Sequence, residues 1–289
     1  MAKESLRWSV SQRFNFIEQR LYWEGRFNKA DLVRRFSISA PQATADIAHY
    51  RESAPDNLVY DASMKAFVPS PVFAPRFMEP DARQYLSQLL LLADEAIEKS
   101  DTWLGMVPGH DAIPRVRRRL NADVLHRVVR AIHAGRALEI GYQSMSSPEP
   151  TRRWVAPHAL AYDGFRWHAR AWCYKHSTFI DLVLARFTDI GEDRIANVDA
   201  GMDREWHQVA VMRLAPHPDL SEGQRRVIAL DYGMKDGVVE VPIRLSLFYY
   251  FERQLCLDLE DLEPARRQVV LLNKKEIQAL RGQLSPVES

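Results

Sequence analysis

RRWVAPHALAYDGFRWHARAWCYKHSTFIDLVLARF, residues 152–187, holds two apolar and aromatic runs on either side of Asp163-Gly164. An Asp-Gly pair between such runs is a hairpin signal, and it predicts a two-residue turn joining antiparallel strands. Along the second strand the side chains alternate. Trp167, Ala169, Ala171 and Cys173 fall on one face, and Arg166, His168, Arg170, Trp172 and Tyr174 on the other. A third strand spans Phe179 to Phe187 and carries Arg186. The expected product is a small sheet with one apolar face for a core and one face of arginines, histidine and rings. Guanidinium forks grip phosphate and aromatic faces stack bases, so this second face suits an anionic, ring-bearing ligand. Alternation alone describes a solvated sheet face equally well.

The flanking segments extend this unit. Asn121 to Ala134 has Val124, Leu125, Val128, Val129 and Ile132 at helical spacing and is ended by Gly135. Leu138 to Met145 is the strand that opens the sheet. Arg152, Arg153, Arg166, Arg170, Lys175 and Arg186 face only Asp163 and Asp181 over residues 152–186, the densest local positive charge beside aromatics in the chain. Tyr142, Ser144, Arg153, His158, Arg166, His168, Arg170 and Arg186 are therefore the candidate binding set for a nucleotide or oligonucleotide effector.

The first 75 residues read as helix, helix, short turn, helix, hairpin, the order of a winged helix-turn-helix. Phe14, Ile17, Leu21 and Tyr22 mark a helix from Arg13 to Trp23. Asn28 caps Lys29 to Phe36, and Ser39 caps a third helix with Pro41 in its first turn. That third helix is expected to bury Ala45, Ile47 or Ala48, and Tyr50. Leu58-Val59-Tyr60 and Ala66-Phe67-Val68 flank the wing turn. Gln42, Ala43, Thr44 and His49 give short polar or small groups able to reach base edges in a major groove. Ser39 and the helix N-terminus can hold a phosphate, and Arg34, Arg35, Arg51 and Lys65 can bind the DNA backbone. A winged helix used for protein contacts is the alternative.

Pro69, Pro71, Pro75 and Pro80 then make a stiff connector. Asp81 to Lys99 reads as a helix with a wide apolar surface at Leu89–Leu92, suited to a core or to a second subunit. Arg115–Arg119 is a basic run. The last third holds strands at Val209–Leu214, Val238–Leu247 and Val269–Leu272, and helices at 221–231, 249–256 and 274–281. The expected boundaries are 1–75 for the DNA-binding head, 76–120 for a helical linker, 121–200 for the effector domain and 201–289 for the last domain.

At 289 residues and a formal charge of +1, the chain has room for two or three domains and no global basic field, so DNA binding must rest on local patches. Two cysteines exclude a disulfide scaffold. With no long apolar run and no signal-peptide core, no membrane association and a cytoplasmic, nucleoid-associated location are expected. Cys173 and His168 point to opposite strand faces and form no catalytic dyad. No metal-ligand spacing, Gly-rich phosphate loop or nucleophile turn appears, so no catalytic residue, metal or cofactor is expected. A nucleic-acid-processing accessory protein or enzyme subunit is the competing function, and a gel shift on the upstream region separates the two.

Arg153-x-x-x-Pro157-x-x-Leu160, Gly164-x-x-Trp167-His168, Cys173 and Arg186-Phe187 together resemble the WYL domain of bacterial transcription regulators. Trp167-His168-Ala169 stands where the name-giving Trp-Tyr-Leu would be, so a histidine replaces the tyrosine's ring area and hydroxyl. The Trp-His variant, with Ile38–Asp46 at the start of the third helix, is similar to the repressors linked to BREX and CBASS phage-defence islands. The resemblance implies an α+β multidomain fold: a winged helix-turn-helix, a small Sm-like antiparallel β-barrel, and a C-terminal α/β-sandwich-like (βαββα) dimerisation domain of the WCX type. It implies a repressor of a phage-defence operon, switched by its effector. One winged helix reads too little sequence for useful specificity, so a homodimer on an inverted-repeat operator in double-stranded DNA is expected.

Overall fold

Helix α1 (Trp8–Glu24) begins the N-terminal head because Phe14, Ile17 and Leu21 recur at helical spacing and all become fully buried, while Tyr22 stays exposed. A computed structural model describes residues 8–114, 116, 118–259 and 261–284. Helix α2 (Lys29–Phe36) starts in a capping box, Asn28 accepting from the Asp31 amide while the Asp31 carboxylate accepts from that of Asn28. Helix α3 (Ala40–Ser53) is capped by Ser39, with Pro41 in its first turn. Strands β1 (Leu58–Asp61) and β2 (Ala66–Pro69) pair antiparallel as the wing. Its turn is fastened by Asp61, which accepts from Ser63 and Met64. Phe14, Ile17, Leu21, Phe27, Leu32, Ile47, Tyr50 and Leu58 form the head's core.

The buried face of α3 is Ala43, Asp46, Ile47 and Tyr50, not one that includes Ala45 or Ala48. Those spacings of three and four residues satisfy the helical period as well, and the core took Ala43. The proline-rich connector is held by Asn57, which donates to the Ala74 carbonyl and accepts the Ala74 amide, and by Glu18. The fully buried Glu18 carboxylate accepts the backbone amides of Arg76, Phe77 and Met78 and the hydroxyl of Tyr50.

Helix α4 (Ala82–Ala93), capped by Asp81, ends six residues before the expected Lys99. Glu95 takes a left-handed φ of 52° there, and the helix cannot pass through it. The chain then returns to the head. Leu104 is buried, Trp103 packs on the head's core, and Glu24 accepts the amides of Gly105 and Met106 at 2.7 and 2.9 Å. Gly105 leaves room for the Arg20 guanidinium, which a Cβ there would force to shift. Much of the segment read as a linker thus belongs to the first of two compact units, residues 1–116 and 117–289. Of the basic run, Arg115 and Arg117 lie outside the described residues.

In the second unit, helix α5 (Ala122–Ala134) is capped by Asn121 and ended by left-handed Gly135. Five antiparallel strands follow: β3 (Arg136–Tyr142), β4 (Thr151–Tyr162), β5 (Trp167–Cys173), β6 (Thr178–Val183) and β7 (Phe187–Ile195), in the sheet order β6-β5-β4-β3-β7. Val124, Val128 and Ala131 of α5 pack on Leu138, Ile140, Val155, Ala169, Ala171, Cys173 and Leu182. The hairpin is present, but Asp163-Gly164-Phe165-Arg166 is a four-residue loop, with Asp163 Oδ1 accepting the amides of Phe165 and Arg166. The expected third strand breaks at a 3-10 turn, Leu184–Arg186, and β7 was not foreseen.

The last part opens with a short helix, α6 (Arg204–His207), also unforeseen. Then come β8 (Val209–Pro216), α7 (Glu222–Asp231), β9 (Val239–Arg244), α8 (Phe248–Gln254), β10 (Val269–Leu271) and α9 (Lys274–Leu284). The strands form an antiparallel sheet of order β10-β8-β9. Strand β8 alternates cleanly, burying Ala210, Met212 and Leu214 while Val209 and Val211 face out. The observed order is thus β-α-β-α-β-α, as the individual segments were read, and α8 stands between the two strands that the βαββα order places in succession. No helix among the described residues is long and apolar enough to cross a membrane.

Candidate functional site

Helix α3 turns three kinds of residue away from its core. Ala45, Ala48 and Glu52 are exposed opposite the buried face. Gln42 and His49 lie toward α1, and Thr44 and Arg51 toward the wing. Small residues at 45 and 48 let the helix backbone approach a surface closely. Gln42 is held by a hydrogen bond from its Nε2 to Asp46 Oδ1 at 3.0 Å. His49 packs edge-on against Phe14, ring centres 5.1 Å apart. Thr44 donates its hydroxyl to the Ala40 carbonyl and keeps its methyl and lone pairs exposed. Ala43 is the exception among the expected contacts. It is fully buried in the head's core, so it reaches no base.

Between α2, α3 and the wing lies a cleft of about 630 Å³. Ile47, Ala48 and Phe67 give it an apolar floor, and Lys29, Arg51, Tyr60 and Lys65 line it with no carboxylate among its walls. The Arg51 guanidinium sits 6.0 Å from the Phe67 ring centre. Lys65 occupies a left-handed turn position with φ 48° that exposes its side chain. Ser39 is spent as the α3 cap, accepting from the Gln42 amide. Arg34 is exposed. Arg35 donates from one guanidinium nitrogen to the carbonyls of Ser100 and Asp101, both at 3.2 Å, so that nitrogen is engaged by its own chain.

The charged face of the β5 sheet is built differently from the expectation. His168 is 2% and Arg170 4% exposed, whereas Trp167, expected in the core, is 49% exposed. The cover is the segment around α6 together with α8. Arg170 grips Asp203 bidentately at 2.7 and 2.9 Å and reaches Glu205 and Asp181. His158 closes on the same Asp203 at 2.9 Å. His168 and Arg166 share Asp163 Oδ2, each at 2.9 Å, and the Tyr250 ring lies 4.9 Å from that of His168.

Electrostatics follow the contacts. Burial pushes the Asp163 carboxyl up, but hydrogen bonds from His168, Phe165 and Arg166 outweigh it and hold the group at about 2. Burial is likewise overcome at Asp203, held below the usual carboxylate range by Arg170 and His158. At Asp181 burial wins and the pKa rises. The Tyr250 hydroxyl, donating to Asp181, is pushed up by burial and by that carboxylate.

The remaining effector candidates sit apart from that network. Tyr142 is in the core beneath the five-stranded sheet, its hydroxyl accepting from the Val183 amide, with Arg153 stacked 5.3 Å over its ring. Arg153 is itself buried and donates to Thr151. Ser144 lies past the end of β3 in a loop it shares with Ser146 and Ser147. Arg186 is next to it in space, its carbonyl accepting from the Gln143 amide. The candidates thus divide among a serine loop beside Arg186, the Tyr142–Arg153 pair, an Asp163 cluster and an Asp203 cluster.

Arg166 of the expected set opens onto a cavity. That cleft, about 380 Å³, is lined by Arg118, Asp163, Phe165, Arg166, Tyr249, Tyr250, Arg253 and Gln254. Sequence reasoning missed its α8 half, because Tyr249, Tyr250 and Arg253 read there as an ordinary amphipathic helix. It also missed Lys29 and Tyr60. The exposed ring of Tyr60, one residue before the wing turn, was the available signal.

Comparison with known proteins covers all three parts. A family model for the winged helix-turn-helix domain of BrxR transcriptional regulators matches residues 9–91, a WYL domain model residues 123–191, and the BrxR C-terminal dimerization domain residues 209–277. The DNA-binding transcriptional repressor CapW of Stenotrophomonas maltophilia is 39% identical over 276 residues, 94% of this chain and 92% of its own. CapW of Escherichia coli is 36% identical over 283 residues, 97% and 95% of the two chains. Among solved structures, proteasome accessory factor B/C of Arthrobacter aurescens overlays 96% of this chain and 48% of its own at 15% identity. Its TM-score of 0.26 is too low to bear on the assignment.

Proposed function

The chain belongs to the CapW family of DNA-binding transcriptional repressors, and on that footing we propose that it represses a phage-defence operon by binding an inverted-repeat operator as a homodimer. It is a DNA-binding regulator and not an enzyme. The observation that carries the reading is the α3 face and its cleft, where Lys29, Arg51 and Lys65 surround an apolar floor without a carboxylate. Gln42, Thr44 and His49 read bases, and Ala45 and Ala48 permit close approach. Arg34, Arg51 and Lys65 bind phosphate, with Ser39 and the α3 N-terminus supporting one such contact. Chromosomal DNA as target makes the cytoplasm, on the nucleoid, its place of action.

A gel shift on the chain's own upstream region, with light scattering of free and bound protein, tests this. The expected result is a salt-sensitive complex on one inverted repeat and a free particle near twice 33.4 kDa. A monomer at micromolar concentration, or equal affinity for random DNA, overturns it.

The effector reading rests on the cleft between the hairpin loop and α8. Its arginines and tyrosines match a nucleotide or oligonucleotide: cations for phosphate, rings for base stacking. An anionic ligand there competes with Asp163 for Arg166, and so acts on the contacts joining the sheet to α8. The effector releases operator DNA by favouring one arrangement of the chain over another. Arg166→Ala and Arg186→Ala are each titrated with operator, with and without short oligonucleotides. Operator binding that no longer responds supports the site, and the cleft predicts the larger loss for Arg166. Parent-like response in both refutes it.

A further inference from the structure

Asp46 is a carboxylate facing inward from a helix whose outer face reads DNA, and its partners explain why it is there. It is 3% exposed. The buried Arg13 of α1 holds it on two sides, Nη2 donating to Oδ1 at 3.0 Å and Nε lying 2.7 Å from Oδ2. Oδ1 then accepts a second hydrogen bond, from Nε2 of the exposed Gln42 one turn earlier. An ionised carboxylate only accepts, so the nitrogen end of the Gln42 amide must face it. The flip of the amide is thereby fixed. One N–H is taken, and Oε1 and the second N–H are left for the solvent side.

That leftover pair, one acceptor and one donor on a planar amide, complements adenine N6 and N7 in the major groove. Guanine offers two acceptors there, cytosine a lone donor and thymine an acceptor with a methyl. Resting on the DNA-reading role of α3, we infer that Asp46, clamped by Arg13, is a positioning residue that presents Gln42 to read an adenine in each half-site. A free glutamine loses rotamer entropy on contact and samples both flips, whereas this one is already oriented.

Selection from a randomised operator library, followed by competition binding, tests this with the full chain. The parent prefers adenine at one position per half-site by about tenfold, the size of one bidentate base contact. Gln42→Ala, at an exposed position, reduces that preference to about twofold or less and leaves the other positions unchanged. Asp46→Asn keeps size and polarity but gains a donor, which allows the reverse flip. It changes preference at the same position only. A merely structural Asp46 weakens every sequence alike. Arg13→Met with Asp46→Leu removes both charges without leaving either unpaired, and is expected to copy Gln42→Ala.

Unchanged preference in Gln42→Ala overturns the base-reading part. A sharp loss in Gln42→Ala with a uniform weakening in both Asp46 variants overturns the positioning part. If the parent shows no sequence preference at all, it is the function proposed above that fails, since each arm here compares profiles that the parent must first possess.

Discussion

Around the α3–wing cleft, Lys29, Arg51 and Lys65 form no ion pair among the described residues, whereas on the β5 face Arg166, His168 and Arg170 each meet a carboxylate. The first group sits in water, where a lone charge is cheap, and leaves its charge for something outside the chain. The second is desolvated, and the chain supplies acids from α6, the hairpin loop and β6 to match it. Charge that a protein leaves unmatched at its surface is charge available to a partner. Charge it matches internally holds elements together.

The largest effect that tests this contrast is at Arg170. Removing one partner of a buried ion network leaves the other charges stranded, and Arg170→Ala strands Asp203 and Asp181. The expected cost is about 3–5 kcal/mol in denaturant unfolding. Arg51→Ala, at an exposed site, is expected within about 0.5 kcal/mol of the parent. Equal small losses at both sites would show that the β5 network is solvated after all.

Acid sharpens the same distinction. Asp163 is held at about 2 in the folded chain against roughly 3.9 unfolded. Its folded value is the lower, so its contribution is fully present above about pH 4 and is lost as pH falls toward 2. It amounts to on the order of 2 kcal/mol. Unfolding free energies of the parent and Asp163→Asn should therefore converge below pH 4. Curves that stay parallel from pH 6 to pH 3 would remove Asp163 from the account.

The two regions also differ in how far the sequence foretells them. The head was legible almost throughout, because its signals are local: the Asn28 and Ser39 caps, Pro41 in the first turn, and the helical spacing of Phe14, Ile17 and Leu21. Ala43, expected at the DNA, is buried instead, because spacing alone does not choose between two neighbouring helical faces. The sheet's first strands and its apolar residues Ala169, Ala171 and Cys173 were also local and were foreseen, whereas β7, beyond the 3-10 turn, was not. What buries His168 and Arg170 was not, since Asp203, Glu205 and Tyr250 lie 33 to 82 positions away and α6 has only four residues. Alternation states which side chains share a face and is silent on what covers it.

At the face proposed to read DNA the contrast becomes a difference in salt dependence. Each phosphate contact releases counterions and steepens the plot of log affinity against log salt by about 0.9. Arg51→Ala and Lys65→Ala are each expected to flatten the operator slope by nearly one and to weaken random DNA in parallel. Slopes that match the parent in both variants would place the DNA backbone away from the cleft.

The smallest expected effect falls at Arg35, where the two kinds of cation meet within one helix. Arg35 is exposed like its neighbour Arg34, and from its position alone both are phosphate ligands. Its Nη1, however, already donates to the carbonyls of Ser100 and Asp101, part of the segment folded back onto the head. Leaving them for a phosphate breaks two hydrogen bonds to gain others, so the net drive is small. Arg35→Ala is therefore expected to change the salt slope by less than about 0.3, against nearly 0.9 for Arg34→Ala. Its own cost is in stability, about 1 kcal/mol, as the returning segment loosens. Salt titrations of the two variants on one operator decide the matter. Equal slope changes would show that Arg35 abandons its carbonyls when DNA arrives, and that the returning segment is released by DNA binding rather than fixed beneath it.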